Sequence, residues 1–295
     1  MNTDFQLYLQ TQKERIETVL STLLTSKSAR TDGLYAAMNY SLLAGGKRIR
    51  PILLLAALEV LGRPSSDYLS VGCAVECVHT YSLIHDDLPC MDNDDYRRGK
   101  LTCHKQFTPA IATLAGDALL TVAFELIATA PQLRPELRLE LVRILAQAAG
   151  PDGMVGGQYI DVCASRENNT PESLQYMDAK KTGCLLTAPL VMAGVIAETD
   201  DAHMSALVQY GEAIGLLFQI VDDLLDEKGT LAEMGKQQGQ DRKMGKATYV
   251  TLLGRDEAYR RAETQALRAQ AILTAAGWGH TVLSQFPEYL LTRVK

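Results

Sequence analysis

Two carboxylate-rich segments stand far apart in the chain. The first runs His85-Asp86-Asp87-Leu88-Pro89-Cys90-Met91-Asp92-Asn93-Asp94-Asp95-Tyr96-Arg97-Arg98-Gly99 and sets five carboxylates within ten residues. The second is Phe218-Gln219-Ile220-Val221-Asp222-Asp223-Leu224-Leu225-Asp226. Each alone reads equally as an acidic, solvated helix end. Negative charge at a helix C-terminus is unfavourable, though, so both call for a compensating cation. Hard oxygen donors without accompanying Cys or His favour Mg²⁺, which a few carboxylates hold together with substrate phosphates. Two such clusters facing each other would clamp Mg²⁺ around an anionic leaving group.

Cations supply the other half. Gly45-Gly46-Lys47-Arg48-Ile49-Arg50-Pro51 carries three positive charges, Arg97-Arg98 closes the first acidic motif, and Lys180-Lys181-Thr182-Gly183 interrupts an apolar run. Arg offers a planar fork to phosphate oxygens and Lys a point charge. Together with the acidic motifs they point to diphosphate binding. Glu76-Cys77-Val78-His79 matches the Glu-x-x-His of di-iron bundles. The chain holds no second copy, so His79 reads instead as a core or phosphate-binding histidine.

The elements that must position these groups are helical. Leu7, Ile16, Val19, Leu20, Leu23 and Leu24 follow spacings of three and four, and apolar runs at about 34–43, 51–61, 66–86, 110–130, 136–149, 172–197, 202–226 and 256–275 are long and rarely broken. No alternating strand pattern bounded by Asn-Gly or Asp-Gly appears, so no β-hairpin is expected. Pro89 should end or distort the helix before it. On an unbroken helix Asp86 and Asp92 would lie about 240° apart; a break after Asp87 lets Asp92 swing back toward Asp86. Thr170-Pro171-Glu172 reads as a helix N-cap followed by Pro at the first helical position. The segment 228–246 carries four glycines and five cationic residues. It nearly repeats the phosphate-loop pattern twice, at Gly229…Gly235-Lys236 and Gly239…Gly245-Lys246, with one residue too many between and no Ser or Thr after either Lys. A cationic flap remains.

Composition bounds the rest. At 295 residues with 47% hydrophobic and 22% charged residues, the chain can bury a full core. No linker-like stretch divides it, so 1–295 reads as a single all-α domain. The net charge of −6 argues against a nucleic-acid footprint. No uninterrupted apolar run reaches the length of a bilayer span, so no transmembrane segment is expected. Six cysteines without a Cys-x-x-Cys, and no secretory pattern at the N-terminus, suggest reduced thiols in the cytoplasm.

The order and spacing of Gly45-Gly46-Lys47-Arg48-Ile49-Arg50-Pro51, the first Asp motif with its Arg-Arg-Gly ending, Gly156-Gly157-Gln158-x-x-Asp161, Lys181-Thr182-Gly183, and Phe218-Gln219-x-x-Asp222-Asp223-x-x-Asp226 followed by Gly235-Lys236 resemble the trans-isoprenyl diphosphate synthases over residues 40–255. The nearest likeness is to their bacterial, farnesyl-making members. The resemblance implies one large helical bundle around a deep central cavity, a homodimer, and head-to-tail prenyl transfer. It implies that Asp86, Asp92 and Asp222 hold Mg²⁺ on an allylic diphosphate, with Asp87, Asp223 and Asp226 in support through charge and water. Arg97, Lys181, Lys236 and Lys246 would bind that allylic diphosphate. Lys47, Arg50, His79 and Arg98 would bind isopentenyl diphosphate. Thr182 and Gln219 would sit beside the reacting carbons.

Product length should follow the cavity floor. Back along the helix from Asp86, Ser82 lies one turn away and Tyr81 about 7.5 Å. A Tyr there stops a growing chain early, and with the inserted Leu88-Pro89 pair it is typical of C15 synthases in the family. Leu88-Pro89-Cys90-Met91 followed by the acidic run also resembles C20 enzymes, and a C10 product is a third reading. A terpene cyclase shares the fold and the first Asp motif but usually has an Asn/Ser/Glu triad where this chain has Asp222-Asp223-Leu224-Leu225-Asp226. A non-catalytic synthase subunit tends to lose a motif that is intact here. Two departures from the family pattern stand out, Tyr96 after the Asp run and Glu227-Lys228-Gly229 after the second motif.

Overall fold

Every residue from Ile49 to Leu58 is buried. A helix that is apolar around its whole circumference can only be satisfied inside a bundle. That segment forms α3 (Ile49–Val60). Its counterpart is α10 (Cys184–Ala197), in which Leu185, Leu186, Leu190, Met192 and Ala193 are buried on several faces. In the computed structural model, which describes residues 3–163, 170–228 and 247–294, these two helices pack against each other as the bundle's centre.

The other helices wrap this pair. They are α1 (Thr3–Leu23), α2 (Asp32–Leu42), α4 (Leu69–Asp86), α5 (Cys103–Gln106), α6 (Pro109–Ala128), α7 (Pro135–Ala149), α8 (Met154–Cys163), α9 (Pro171–Asp178), α11 (Asp201–Lys228), α12 (Tyr249–Leu253), α13 (Arg255–Ala275) and α14 (Phe286–Thr292). Helix α4 lies between α3 and α6, while α11 lies between α10 and α13. The two acidic motifs end α4 and approach the end of α11, so the bundle order brings both to one end of the core. The fold is all-α, as the periodicity predicts.

Local chemistry explains the boundaries. Thr170 accepts a hydrogen bond from Ser173 N–H at 3.2 Å and Ser173 Oγ returns one from Thr170 N–H at 2.9 Å, a capping box with Pro171 at the first position of α9. Between α9 and α10, Ala179–Gly183 widens into a π-helical turn. Such turns cost regular hydrogen bonding and occur mostly at functional sites. This one carries Lys181 and Thr182.

One expectation is corrected. A β-hairpin does exist: Tyr96–Arg97 pairs antiparallel with Lys100–Leu101 across Arg98-Gly99, whose φ angles of 52° and 75° form the left-handed turn. Two residues per strand are too few to show alternation, and the turn pair is Arg-Gly rather than Asn-Gly. The expectation of no transmembrane segment rests on the absence of an unbroken apolar run. Averaged over 18 residues, α6, the α9–α10 segment and α11 reach mean hydropathies of 1.7, 1.2 and 1.3, long and apolar enough to cross a bilayer by length and composition. The search for unbroken runs missed them because isolated polar residues interrupt each one. Those windows are 33%, 56% and 50% buried within the bundle, so length and hydropathy do not establish a span.

Candidate active site

Helix α4 ends at Asp86, and the chain turns back as Pro89 requires. Asp92 N–H donates to the Asp86 carbonyl at 2.9 Å, and Asn93, at φ 53°, donates to the Leu88 carbonyl at 3.1 Å. The return of Asp92 toward Asp86 is therefore built from main-chain bonds. The cation demanded by this acidic helix end is Arg97. It donates from Nε to both Asp87 oxygens at 2.7 Å and from Nη2 to Oδ1 at 2.5 Å, and lies 3.5 Å from Asp94. Asp87 and Asp94 are buried, so this fork is desolvated and fixed.

The opposite wall is built on close backbone approach. A Cβ at Gly157 would meet the Lys181 main-chain nitrogen at 2.2 Å, so only glycine lets α8 lie against the π-helical turn. Asp161, one turn further along α8, then holds Lys181 Nζ at 2.6 Å. Thr182 Oγ1 donates to Gln219 Oε1 at 3.1 Å, Gln219 Nε2 donates to Asp223 Oδ1 at 2.9 Å, and Tyr249 N–H donates to Asp223 Oδ2 at 2.8 Å. Asp223 is thus a buried brace for Gln219 and α12, while its neighbour Asp222 faces the opening.

Between the walls lies a cavity of about 720 Å³. Asp86 and Asp222 both line it, together with Arg50, His79, Arg97, Arg98, Lys181, Thr182 and Gln219. Tyr81 and Ser82 face it further along α4, and Leu88, Met154, Val155 and Phe218 supply apolar wall. Tyr81 is buried and meets His85 edge-on at 5.6 Å. Two expected residues stand outside the lining. Asp92 bonds the Asp86 carbonyl through its N–H and its charge acts on the Asp86 carboxyl, and Lys47 is exposed nearby, within the influence of Arg293 and Asp222. Lys236 and Lys246, with most of the expected flap, lie outside the described residues.

The electrostatics are those of an anion site. Arg50 is buried, and its Nε has no hydrogen-bond partner. Burial and the neighbouring Arg98 push its pKa down to about 10, against the pull of Glu76 and Asp222. A buried, unpaired guanidinium N–H is costly, and a phosphate oxygen would satisfy it. Burial and then the surrounding arginines hold His79 well below the usual imidazole range, so it is neutral. Burial raises the Asp86 carboxyl, with Lys181 and Arg97 opposing.

The residues fit a hard divalent cation only in part on their own. Among the described residues no three His, Cys, Asp or Glu side chains converge into a cage. Asp86 and Asp222 instead offer oxygens across a shared space. That suits Mg²⁺, which keeps water and takes substrate phosphates alongside one or two carboxylates.

Sequence reasoning missed Arg293. Its Nη2 lies 3.2 Å from Asp222 Oδ1 and its guanidinium sits 5.7 Å over the Phe218 ring. No spacing links residue 293 to residue 222; only the packing of α14 on α11 does. Asp178 was missed too. It is buried beside Asp223 and Lys181, and burial followed by the Asp223 charge pushes its pKa up to about 8.

Residues 31–275 match the polyprenyl synthetase family. The chain is 47% identical over 254 residues to a farnesyl diphosphate synthase of Micrococcus luteus, covering 86% of this chain and 84% of that one. It is 42% identical over 275 residues to another from Bacillus subtilis, with 92% and 93% covered. Among solved structures, a geranyltransferase from Helicobacter pylori, complexed with magnesium and isoprenyl diphosphate, superposes with a TM-score of 0.86 at 33% identity, covering 99% of this chain and 97% of that one. An FPP/GFPP synthase from Zymomonas mobilis, in its apo form, superposes at 0.88 and 35% identity, with 99% and 100% covered. With a cavity that two acidic motifs and a ring of cations share, and with relatives matching over nearly its full length, this chain belongs to the polyprenyl synthetase family.

Proposed function

We propose that the protein condenses isopentenyl diphosphate head-to-tail with dimethylallyl or geranyl diphosphate, giving farnesyl diphosphate. One observation carries the reading: Asp86 and Asp222, 136 residues apart in sequence, line the same apolar-walled cavity as Arg50, Arg97, Arg98 and Lys181.

Arg97 and Lys181 hold the allylic diphosphate, each fixed from behind by a carboxylate, Asp87 and Asp161. Asp86, Asp92 and Asp222 would hold Mg²⁺, which when bound neutralises charge developing on the leaving diphosphate. The allylic C–O bond breaks with its electron pair going to oxygen. Preorganised Arg and Lys charges favour that step because they are already aimed where negative charge grows. The apolar wall of Leu88, Met154 and Phe218 keeps water from the allylic cation. Arg50, Arg98, His79 and Lys47 present isopentenyl diphosphate, whose alkene pair forms the new C–C bond. The proton then lost goes to the released diphosphate. Thr182 and Gln219, bonded to each other at 3.1 Å on the cavity wall, would sit beside the reacting carbons.

Tyr81 on the cavity wall supports a C15 product. The Micrococcus and Bacillus relatives are farnesyl diphosphate synthases. A C20 product is the second reading, because a geranylgeranyl pyrophosphate synthase of Catharanthus roseus is 46% identical over 239 residues, 80% of this chain and 67% of that one. Incubation with isopentenyl and geranyl diphosphates and Mg²⁺, then chromatography of dephosphorylated products, decides it. Farnesol as the main product supports the reading; geranylgeraniol, or no turnover, sinks it.

A homodimer and a cytoplasmic location belong to the same proposal. Helix α6 is apolar yet only 33% buried over its best window, with Leu114 at 53% exposure, which suits a second copy as cover. All six cysteines are free thiols, three of them buried, which suits a reducing compartment.

A further inference from the structure

The Glu76-x-x-His79 pair finds no place in metal chemistry, and the proposed reaction uses only His79. Glu76 is 0% exposed. Arg48 Nη1 donates to its Oε1 at 2.6 Å, Arg98 Nη2 lies 3.8 Å from the same oxygen, and Oε2 has no hydrogen-bond partner. Arg48 is fully committed. It sits at φ 53° just before α3, donates from Nη2 to the Leu42 carbonyl at 2.7 Å, and does not line the cavity. Arg50 and Arg98 do line it. Arg98 is further pinned by a 2.5 Å bond from Nη1 to the Gly45 carbonyl, and its guanidinium fills the space that a Gly46 Cβ would take, 2.8 Å away.

We propose that Glu76 is a positioning residue for the isopentenyl diphosphate end of the cavity: by anchoring Arg48 and attracting Arg98, it leaves Arg50 and Arg98 correctly aimed. The inference rests on the proposed prenyl transfer. Three guanidinium groups crowd this corner, and His79 adds no charge. Glu17 also lies 3.4 Å from Arg48 Nε but is part-exposed, so without the buried Glu76 mutual repulsion and desolvation drive the guanidiniums apart and toward water. Glu76 offsets one charge and fixes the geometry of the rest. The allylic end has carboxylate anchors of its own, Asp87 on Arg97 and Asp161 on Lys181.

Simple charge counting predicts the opposite of positioning. Removing a buried carboxylate makes the corner more positive and should tighten anion binding. Glu76→Gln, which keeps shape and removes charge, separates the two. Steady-state kinetics with each substrate varied in turn should show KM for isopentenyl diphosphate raised about tenfold, the scale of one lost charge-assisted contact, with KM for geranyl diphosphate near wild type. Glu76→Asp, which keeps the charge one methylene short, should recover part of the loss. An unchanged or lowered KM for isopentenyl diphosphate, or an equal rise in both, overturns the proposal. If Glu76→Gln does not fold by thermal melting, Glu76→Asp alone decides, by the same split between the two KM values. If the wild type gives no turnover, the prenyl-transfer reading fails by itself. Titration of inorganic diphosphate without Mg²⁺ then decides for Glu76: weaker binding to Glu76→Gln supports positioning, and equal or tighter binding refutes it.

Discussion

Arg293, close to the end of the chain, faces Asp222 on α11 with Nη2 and Oδ1 3.2 Å apart. A guanidinium thus occupies the carboxylate that the proposed chemistry assigns to a metal ion. The side chain of Arg293 is 15% exposed and Asp222 41% exposed, so the pair is partly screened. It offsets the charge of Asp222.

Arg293→Ala should therefore lower the Mg²⁺ concentration needed for half-maximal rate by about two- to fivefold, the range of a partly exposed ion pair. Initial rates across a Mg²⁺ titration measure it. A rise, or no shift, would mean that Arg293 does not compete for Asp222.

Tyr81→Ala should lengthen the product beyond C15. The ring is 6% exposed and edge-packed on His85, so truncation opens the cavity along α4. Chromatography of dephosphorylated products should show C20 and longer alcohols; an unchanged product length would move the floor elsewhere.

Arg97→Lys keeps the charge but loses the fork onto Asp87. KM for the allylic substrate should rise about tenfold or more, since Lys cannot replace a bidentate guanidinium. Wild-type KM in this variant would show that Arg97 acts only as a point charge.

Asp178 makes stability depend on pH. Its folded pKa of about 8 lies above the ordinary 3.8. The folded state therefore holds this proton more tightly than the unfolded state. The stability it contributes is fully present below about pH 4 and is lost as pH rises through about 8, at up to about 1.4 kcal/mol per pH unit. Asp178→Asn removes that loss. Melts from pH 5 to 9 should show its melting temperature gaining on wild type as pH rises; parallel curves would contradict the buried, protonated carboxyl.

The bundle and most of the site were legible in the sequence because their signals are local. The residues of α3 and α10 announce their burial by composition. Pro89 accounts for the return of Asp92 to Asp86. The Gly156-Gly157-Gln158 motif marked a site, although its physical reason, close approach to Lys181, needed the fold. Arg293, Asp178 and Glu76 were illegible as site residues because their roles depend on what packs against them. The same holds for Arg97: its spacing marks a cation near the Asp motif, but the choice of Asp87 as its anchor is made by the hairpin at Tyr96–Leu101, too short for sequence to reveal.

The most direct test is a double-mutant cycle on Asp86 and Asp222, reading Mg²⁺-dependent binding of inorganic diphosphate by calorimetry. If both carboxylates grip one metal-bound diphosphate, Asp86→Asn and Asp222→Asn will each weaken binding, and the double variant will lose little more than the worse single one, a coupling of about 0.5–3 kcal/mol. Losses that simply add, or binding that survives both substitutions, would show that the two motifs do not act on a common ligand.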